Sequence, residues 1–544
     1  MTQHATIDQP TATDVVDVLV VGAGFAGLYQ LARLRERGFD VKVWEEGSGL
    51  GGVWWWNCYP GARVDSPGRL YQYSDRELWQ GWDWSEAYPG WEELREYFAY
   101  VDAKRDLTRD IRFDHRVTEA QFDEERRRWI VTAANGAVAS ASYLVMCTGF
   151  AAKPYVPELA GLEDFAGAWH HTARWPQEGI DFRGRRVAVV GTGASGVQVI
   201  QEAARAAEHL TVFQRTPNIA IPMRQKQLSE EEQRALKAEL AERLERRPRT
   251  FAGADFDYLP RPAAEMTPEE RTAQLEELWE EGGFRFWLGT FPDVPMDPDV
   301  NREVYEFWRD RTRARIHDPA IAEKLAPTEP PHPFGVVRPS LEQWYFEVFN
   351  QDNVTLVDVR ETPIERLTAT GAVTAAGEHE FDLLVFATGF DAVTGGLTGI
   401  DVRGTSGETL RDKWADGVRA HLGVATSGFP NLLFLYGPQS PGAFCNGPTC
   451  AELQGDLIID LLTHMQEQGL TRVEATDEAD EAWRQLVLGI AEQTLFRVSN
   501  SGWYIGANIP GKKRELLQFA GGLPMYLEQW RASTASGYAG FSFT

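Results

Sequence analysis

Two glycine-rich stretches have the residue types and the spacing to bind phosphate groups. Each places three glycines in the pattern G-x-G-x-x-G directly after a short apolar run that is mostly β-branched. The first glycine permits a tight turn, the second lets a phosphate approach the backbone, and the third lets the next helix pack on the strand. Free N–H groups at the N-terminus of that helix would then bind a pyrophosphate. The sequence thus predicts two dinucleotide-binding turns, at residues 22–27 and 191–196.

The residue that follows each turn by about 20 positions indicates which dinucleotide binds. Glu45 follows Gly22 by 23 residues, where an acid accepts hydrogen bonds from the adenosine ribose of FAD. Arg215 follows Gly191 by 24 residues, where a guanidinium would pair with the 2′-phosphate of NADP and an acid would repel it. We therefore expect FAD at the first turn and NADP at the second. The alternative for either stretch is a tight turn without a ligand.

The elements that must position these turns repeat as strand, turn and helix, which predicts an α/β fold with two Rossmann-like dinucleotide-binding domains. Flanking elements are expected at 15–21 (strand), up to about 37 (helix), 41–45 (strand), 187–190 (strand), up to about 207 (helix) and 211–213 (strand). Similar strands at 143–149 and 383–389 are interpreted as the crossings between domains. The FAD-binding domain would comprise 1–150 and 386–544, and the NADP-binding domain 151–219 and 335–385. Residues 220–334 predict a helical insertion, with capped helix starts at Ser229, Thr267 and Asp297.

Three adjacent tryptophans stand in the stretch GGVWWWNCYPGARVD at 51–65, which reads as a loop. Tryptophans in a loop are costly unless something buries them, so we expect a large planar ligand to cover them. Asp65 ends this stretch. From the residues alone it is either a turn cap or a site residue.

The segment before the second turn carries the most specific pattern in the chain. It reads Phe165-x-Gly167-x3-His171-x3-Trp175-Pro176 and resembles the fingerprint of type I Baeyer–Villiger monooxygenases, the group of cyclohexanone and phenylacetone monooxygenase. From the residues alone, His171 and Trp175 would be ordinary linker packing, and we interpret His171 as a structural or hinge residue. The resemblance extends from residue 22 to about residue 511.

A second motif of the same family coincides with the tryptophan stretch and ends at Asp65. The resemblance implies that this segment lies along the flavin and that Asp65 lies near the isoalloxazine ring and the catalytic arginine. HPFGVVR at 332–338 is similar to a family segment that ends in Lys-Arg, whose lysine contacts the 2′-phosphate of NADP. Here the arginine is Arg338 but Val337 occupies the lysine position, which leaves the strictness of the NADPH preference open.

The resemblance also implies the contacts of individual residues. FAD contacts are expected from Gly22, Gly24, Ala26, Gly27, Glu45, Val53, Trp54, Trp55, Trp56, Asp65, Tyr71 and Val117. NADP contacts are expected from Arg63, Val64, Asp65, Gly191, Thr192, Gly193, Ala194, Ser195, Gly196, Gln198, Arg215, Thr216, Val337 and Trp503. Phe444 and Trp503 are expected to line the substrate pocket. From the residues alone, the glycine-rich segment 501–512 around Trp503 is either a lid or a packed surface loop.

The implied activity is the conversion of ketones to esters or lactones with NADPH and O2 through a C4a-peroxyflavin. A guanidinium keeps its proton at working pH, so Arg338 would offer a permanent positive charge to the peroxide and to the later oxyanion. Asp65 would hold that arginine in place. Bound NADP and a closed lid would exclude water, which promotes loss of hydrogen peroxide.

Composition narrows the function classes further. A net charge of −26 over 544 residues argues against nucleic acid or an anionic membrane as partner. Cys58, Cys147, Cys445 and Cys450 lack the spacing of a redox pair or a zinc site, which disfavours a disulfide reductase and a bound metal. The polar N-terminus and the absence of a long apolar run predict a cytoplasmic protein. We expect a monomer or homodimer whose partners are a ketone and O2.

Two alternatives remain from the sequence. A flavin-containing N- or S-monooxygenase of the same superfamily shares both glycine turns but usually lacks the Trp175-Pro176 ending and the arginine at 338. A non-catalytic dinucleotide-binding protein would be favoured by the loss of Asp65 or Arg338, and both are present.

Overall fold

The computed structural model describes residues 14–499 and 502–544, so the polar N-terminal stretch 1–13 and Ser501 lie outside the described residues. The strands, numbered along the chain, are β1 (Asp14–Val21), β2 (Val41–Trp44), β3 (Ile111–Arg112), β4 (Val117–Asp123), β5 (Arg128–Ala133), β6 (Val138–Met146), β7 (Ala168–His171), β8 (Arg186–Val190), β9 (His209–Gln214), β10 (Ala220–Pro222), β11 (Ser340–Glu342), β12 (Val354–Asp358), β13 (Ile364–Leu367), β14 (Gly371–Thr374), β15 (Gly377–Glu380), β16 (Leu383–Phe386), β17 (Asp401–Arg403), β18 (Leu432–Phe434), β19 (Val473–Ala475) and β20 (Phe541–Phe543).

The helices, numbered in the same way, are α1 (Phe25–Glu36), α2 (Val53–Trp56), α3 (Arg76–Gln80), α4 (Trp91–Arg105), α5 (Ala194–Ala206), α6 (Glu230–Arg246), α7 (Pro268–Glu281), α8 (Arg285–Leu288), α9 (Pro298–Arg313), α10 (Pro319–Leu325), α11 (Gly395–Thr398), α12 (Leu410–Lys413), α13 (Gly447–Gln468), α14 (Asp477–Glu492) and α15 (Gly522–Ala535).

The first glycine turn belongs to an eight-stranded sheet of order β17-β4-β5-β6-β1-β2-β3, with β18 also paired to β6. The central strand β1 runs parallel to both β2 and β6, and Val18 pairs with Val41 on one side and Tyr143 on the other. Residues 18–20 are fully buried, which explains why this strand reads as a nearly continuous run of Val and Leu. The predicted strands around the first turn are confirmed.

The second glycine turn belongs to a five-stranded sheet of order β12-β9-β8-β16-β7, in which every pairing is parallel. The turn connects β8 to α5, as predicted. Each sheet therefore carries its own strand, glycine turn and helix, which confirms an α/β fold with two Rossmann-like domains. The two strands interpreted as crossings are present and lie in different sheets, β6 in the first and β16 in the second, while their role as domain crossings stays a prediction.

The segment between the two crossings contains the predicted helices. Ser229 with Glu232 and Thr267 with Glu270 form reciprocal capping boxes at the starts of α6 and α7. Asp297 caps α9 by accepting hydrogen bonds from two backbone N–H groups. All three predicted helix starts are confirmed, while the domain boundaries themselves stay a prediction.

Several elements differ from the sequence expectation. The tryptophan stretch is not all loop, because Val53–Trp56 forms a helical turn that begins after Gly51 and Gly52, both at positive φ. The antiparallel strands β4 and β5, which broaden the first sheet, were not predicted. Nor was β7, which turns part of the fingerprint segment into an edge strand. This strand has only four residues, and two of them are histidines, so its sequence lacks the alternation of apolar and polar residues by which a strand is recognised.

Two absences apply to residues 14–499 and 502–544 alone. In that range no helix combines the length and the apolar character needed to cross a membrane. The same residues contain no group of three or more His, Cys, Asp or Glu side chains arranged to hold a metal ion.

Candidate active site and nucleotide-binding turns

Arg338 and Asp65, which lie far apart in sequence, form a bidentate ion pair. Arg338 Nε donates to Asp65 Oδ2 at 2.7 Å, and Nη2 donates to Oδ1 at 2.9 Å. Nη1 donates to the carbonyl oxygen of Ala443 at 2.8 Å, so three of the five N–H groups of the guanidinium are held by protein oxygens. The rings of Phe284 and Trp287 cover the guanidinium carbon at 4.5 and 5.9 Å. The two predicted catalytic residues are thus brought together.

The charge of Arg338 is fixed by its surroundings. Burial disfavours the charged guanidinium, but the adjacent Asp65 carboxylate attracts it and accepts its hydrogen bonds. The result is that the pKa of Arg338 is raised above its usual value. A bidentate guanidinium–carboxylate pair also fixes the plane of the guanidinium. The site therefore contains an oriented and permanent cation, partly covered by aromatic rings.

The chain just before Asp65 packs on the first helix of the second dinucleotide unit. Tyr59 Oη donates to Gln198 Oε1 at 2.7 Å, and Gln198 Nε2 donates to the carbonyl oxygen of Arg63 at 2.9 Å. A Cβ added to Gly61 would lie 2.8 Å from the carbonyl oxygen of Gln198, so only glycine allows this approach. Three predicted NADP contacts therefore lie close together: Arg63 and Val64 from the segment before Asp65, and Gln198 from α5.

Two arginines that sequence reasoning missed hold the tryptophan turn. Arg95 Nε donates to the carbonyl oxygen of Trp54 at 3.0 Å, and its guanidinium stacks over the ring of Trp55 at 4.7 Å. Arg174 stacks over Trp56 at 4.1 Å and pairs with Glu46 at 2.9 Å. Neither arginine is close in sequence to the tryptophans, so no local pattern could have identified them. Within the turn, Trp54 Nε1 donates to the hydroxyl of Tyr71, a predicted FAD contact, at 3.3 Å.

The first glycine turn has the donor and acceptor groups that FAD requires. Glu45 is 4% exposed, and its carboxylate accepts hydrogen bonds from Ala23 N at 2.6 Å and Gly47 N at 2.7 Å. Burial raises the pKa of Glu45, while these two N–H groups oppose the rise. The carboxylate is thus fixed beside the turn at the end of β2. Val117 begins β4 close by, since His115 N donates to the carbonyl oxygen of Glu45.

The first turn of α1 has backbone N–H groups that no side chain caps. Gly24 is the N-cap residue of α1 and supplies no side chain to its free N–H groups. Those groups lie beside Ala26 and Gly27, two predicted FAD contacts. Uncapped donors at a helix N-terminus next to a fixed carboxylate fit a dinucleotide, whose pyrophosphate accepts hydrogen bonds and whose ribose donates them.

The second glycine turn fits NADP by a different arrangement. Gly193 is the N-cap of α5 without a side-chain cap, and a Cβ added to it would meet no atom within 4 Å. The space above the turn is therefore open to a phosphate. Arg215 is exposed at the end of β9. A hydrogen bond stabilises the turn itself, since Thr192 Oγ1 donates to the carbonyl oxygen of Thr216 at 2.9 Å. The other predicted residues of this turn, Ala194, Ser195 and Gly196, form the start of α5.

The fingerprint residues connect the second sheet to the tryptophan turn. Phe165 packs against Phe381 in the core of the second sheet, with ring centroids 5.3 Å apart. A Cβ added to Gly167 would lie 2.5 Å from the carbonyl oxygen of Asp382, which explains the glycine. Trp175 N donates to the carbonyl oxygen of Trp56 at 3.3 Å, and Pro176 follows. This segment thus spans from β7 to the predicted flavin site.

His171 takes a structural place in that segment. Its Nδ1 accepts a hydrogen bond from Ala173 N at 3.0 Å, and its ring meets Phe390 edge-on at 6.1 Å. Burial lowers the pKa of His171 to about 4, so the imidazole is neutral at pH 7. By accepting a hydrogen bond from the backbone two residues later, the neutral imidazole stabilises the turn that follows β7.

Aromatic rings surround Phe444, the predicted substrate contact. The ring centroid of Phe444 lies 5.4 Å from that of Phe251, 6.0 Å from Trp287, 6.1 Å from Phe496 and 5.9 Å from Tyr504. Trp287 also covers Arg338, so this aromatic wall is continuous with the cation. Sequence reasoning identified Phe444 but missed the rest of the wall.

Trp503 and Val337 lie at the edge of this region. Trp503 stacks on Phe150 with centroids 5.3 Å apart, while its neighbour Tyr504 contacts Phe444. A Cβ added to Gly502 would lie 2.8 Å from Val337 Cγ2. Val337 thus packs directly against the glycine-rich segment that contains Trp503.

Comparison with known proteins agrees with this geometry. The family model described as pyridine nucleotide-disulphide oxidoreductase matches residues 16–259, which span the first turn and the second. Its name reflects a group with a redox disulfide, whereas the four cysteines here are free and buried. The match therefore concerns the dinucleotide-binding fold.

Relatives that match over nearly the whole of both chains identify the family more specifically. The chain is 55% identical to cyclopentanone 1,2-monooxygenase of Comamonas sp., over 98% of this chain and 96% of the relative. It is 38% identical to a Baeyer–Villiger monooxygenase of Pseudooceanicola batsensis, over 96% and 95%. A crystal structure of OTEMO in complex with FAD and NADP superposes with a TM-score of 0.93 at 35% identity, covering 97% of this chain and 99% of that one.

Proposed function

The chain belongs to the Baeyer–Villiger monooxygenases, and from this premise we propose that Arg338 and Asp65 form its centre for converting ketones to esters or lactones with FAD, NADPH and O2. The observation that carries the proposal is the bidentate pair of these two side chains under the rings of Phe284 and Trp287. The alternative N-monooxygenase function is not favoured. Nor does a non-catalytic protein require a cation held so firmly beside an aromatic wall.

The flavin, when bound, supplies the activated oxygen that reaches the ketone carbonyl, with electrons from NADPH. Arg338 provides a fixed positive charge to the oxygen anions of the reaction, since its guanidinium keeps its proton. Asp65 and the carbonyl oxygen of Ala443 hold the guanidinium in one orientation. Phe284 and Trp287 exclude water from its face, and electrostatic attraction is stronger in such a low-dielectric site.

The cofactor sites follow from the two turns. We assign FAD to residues 22–27 with Glu45 and the tryptophan turn, and NADP to residues 191–196 with Arg215. The fixed Glu45 carboxylate supports the first assignment, and the open space above Gly193 supports the second. The same proposal includes the domain division into 1–150 with 386–544, 151–219 with 335–385, and the helical insertion 220–334.

Compact alicyclic ketones are the proposed substrates. One support is the 55% identity to a relative named for cyclopentanone. The other is the wall of rings around Phe444, which offers apolar contact next to the guanidinium of Arg338. Apolar walls bind the ring of such a ketone, while the cation faces its carbonyl oxygen.

A ketone panel tests the function directly. Purified enzyme would be given NADPH and O2 with cyclopentanone, cyclohexanone, acetone, phenylacetone or an aromatic amine, and products identified by mass spectrometry. We expect cyclopentanone to gain one oxygen as its lactone. An N-oxide without any lactone would instead contradict the proposal.

The Arg338→Ala variant tests the site. We expect lactone formation to fall by about 100-fold or more, because the donor to the oxyanion is lost, while NADPH still bleaches the flavin. Arg185→Ala is the charge-matched control, since Arg185 is exposed before the start of β8. Lactone formation at the wild-type rate in Arg338→Ala would overturn the assignment of Arg338.

We also propose a cytoplasmic protein that acts as a monomer or homodimer. Support for the compartment comes from its four free and buried thiols, which suit a reducing environment. Light scattering on the purified enzyme measures its mass against the 61.1 kDa of one chain.

A further inference from the structure

The two crossings between the sheets lie side by side and share a sequence. Each ends in Thr-Gly-Phe, at 148–150 and at 388–390. Val393 N donates to the carbonyl oxygen of Phe150 at 2.7 Å, and Asp391 N donates to that of Lys153 at 2.9 Å. Pro154 and Phe390 also form an antiparallel bridge. We refer to residues 148–155 and 388–393 as the paired linker, because these two segments join one sheet to the other.

The glycine-rich segment 502–512 contacts both halves of the paired linker. Trp503 stacks on the ring of Phe150 in the first half. Asn508 Nδ2 donates to the carbonyl oxygen of Phe390 in the second half at 2.7 Å. At its far end, Lys512 Nζ donates to Asp391 Oδ1 at 2.7 Å and to the carbonyl oxygen of Ala392 at 2.8 Å. The segment therefore lies across the linker.

The ion pair between Lys512 and Asp391 is more sheltered than a typical surface pair. Both side chains are 14% exposed, whereas Lys153, which approaches the other oxygen of Asp391 at 3.3 Å, is 52% exposed. Partly buried pairs are screened less by salt and solvent than exposed ones. Removal of one partner also leaves the other with a poorly hydrated charge. Of the two lysines that approach Asp391, Lys512 is the more sheltered, and it is the one that belongs to the segment.

The other end of the same segment reaches the proposed catalytic arginine. Tyr504 Oη donates to the carbonyl oxygen of Ala443 at 3.0 Å. That same oxygen accepts from Arg338 Nη1 at 2.8 Å. Tyr504 also contributes its ring to the aromatic wall around Phe444. A shift of the segment would thus remove a donor and a ring from the site together.

We propose that Asp391 and Lys512 are positioning residues that latch segment 502–512 onto the paired linker and thereby hold Tyr504 against Ala443 beside Arg338. The latch forms only when the linker presents Asp391 and the carbonyl oxygen of Ala392 together. Because the linker joins the two sheets, their relative placement and the closure of the site become coupled. The consequence for catalysis rests on the proposed function, whereas the latch itself does not.

Hydrogen exchange on the FAD-loaded enzyme with NADP+, without ketone, tests the latch. We expect Lys512→Met to increase amide exchange in 502–512 by about tenfold. Lys513→Met is the matched control, because Lys513 is an exposed neighbour and the charge change is the same. Asp391→Asn is the second variant in case Lys512→Met folds poorly, and it should give the same increase. The two changes combined should add little, since they remove one shared interaction.

A second readout follows the loss of closure. In Lys512→Met we expect more NADPH to be consumed per lactone formed, with hydrogen peroxide accounting for the difference, and partial recovery in Lys512→Arg. Unchanged exchange in Lys512→Met, or an equal increase in Lys513→Met, would overturn the latch and leave the proposed function standing. A wild-type enzyme that forms no ester would overturn the proposed function and leave the exchange result valid.

Discussion

The two glycine turns have almost the same backbone but different surroundings. Gly22 and Gly191 have φ values of +105° and +106°. A Cβ on the third glycine of either turn would collide with the carbonyl oxygen of the first, at 1.8 Å for Gly27 and 2.3 Å for Gly196. Packing between helix and strand therefore fixes both turns. The space around the second glycine differs between the turns. A Cβ on Gly24 would contact Gly52 at 3.5 Å, whereas one on Gly193 would meet no atom within 4 Å.

Glu45 and Arg215, the residues expected to distinguish FAD from NADP, also differ in exposure. Glu45 is buried and held by two backbone N–H groups, whereas Arg215 is exposed. A covered site with a pre-oriented acceptor suits a cofactor that stays bound through many turnovers. An open site with a long cationic side chain suits a dinucleotide that must bind and leave. The comparison thus supports the proposed assignment of a resident FAD to the first turn and an exchanging NADP to the second.

Among the changes at the two turns, the largest expected effect is that of Glu45→Gln on FAD. The carboxamide cannot accept from both Ala23 N and Gly47 N and also accept from a ribose. Hydrogen bonds to a charged acceptor contribute about 1.5–3 kcal/mol, so FAD affinity should fall by about 10- to 100-fold. The ratio of flavin to protein absorbance after purification measures the loss.

Glu36→Gln is the matched control for this change, because Glu36 is an exposed residue at the end of α1 and pairs with Arg33, away from the glycine turn. It should retain FAD. Full retention of FAD by Glu45→Gln would remove the distinction between the two turns.

Arg215→Ala should have the next largest effect, and on the other nucleotide. Loss of a charge-assisted contact to the 2′-phosphate should reduce kcat/KM for NADPH by about 10- to 100-fold. NADH, which lacks that phosphate, should change much less, and FAD content should remain full. Steady-state kinetics with both nucleotides, beside Arg185→Ala as a charge-matched control, make the measurement. Equal losses with NADPH and NADH would show that Arg215 does not recognise the 2′-phosphate.

Local spacing allowed much of this fold to be predicted. The two turns, their flanking strands and the caps at Ser229, Thr267 and Asp297 depend on residues within a few positions of one another. The identities of Glu45 and Arg215 also follow from a fixed distance along a strand–helix–strand unit. Such features can be predicted from the sequence because the interactions that form them join residues close together in the chain.

The walls of the site are not local and could not be predicted in the same way. Arg95 and Arg174 clamp the tryptophan turn from other elements, and Tyr504 reaches Ala443 across 61 positions. Even the pairing of Arg338 with Asp65 was implied by family resemblance rather than by the residues. The antiparallel strands β4 and β5 were missed although buried and more exposed residues alternate along β5 and the charged residues at 124–127 form the turn between the strands.

Val337→Lys has the smallest expected effect and sharpens the comparison. The side chain at 337 packs against Gly502, so a lysine must leave that contact and extend toward solvent or toward the 2′-phosphate. If it reaches the phosphate, the ratio of kcat/KM for NADPH to that for NADH should rise by about threefold, because an exposed ion pair is worth less than about 1 kcal/mol. FAD content should not change.

Val337→Met separates the charge from the loss of packing. Methionine is long and apolar, so it disturbs the contact with Gly502 as lysine does but offers no cation. A rise in the NADPH to NADH ratio for lysine alone would show that the open turn can be tuned by a second cation. If methionine gives the same rise, the effect comes from the displaced segment 502–512, and nucleotide choice at the second turn depends on closure as well as on Arg215. No change with either residue would mean that Val337 takes no part in nucleotide choice, leaving Arg215 as the group that distinguishes the second turn from the first.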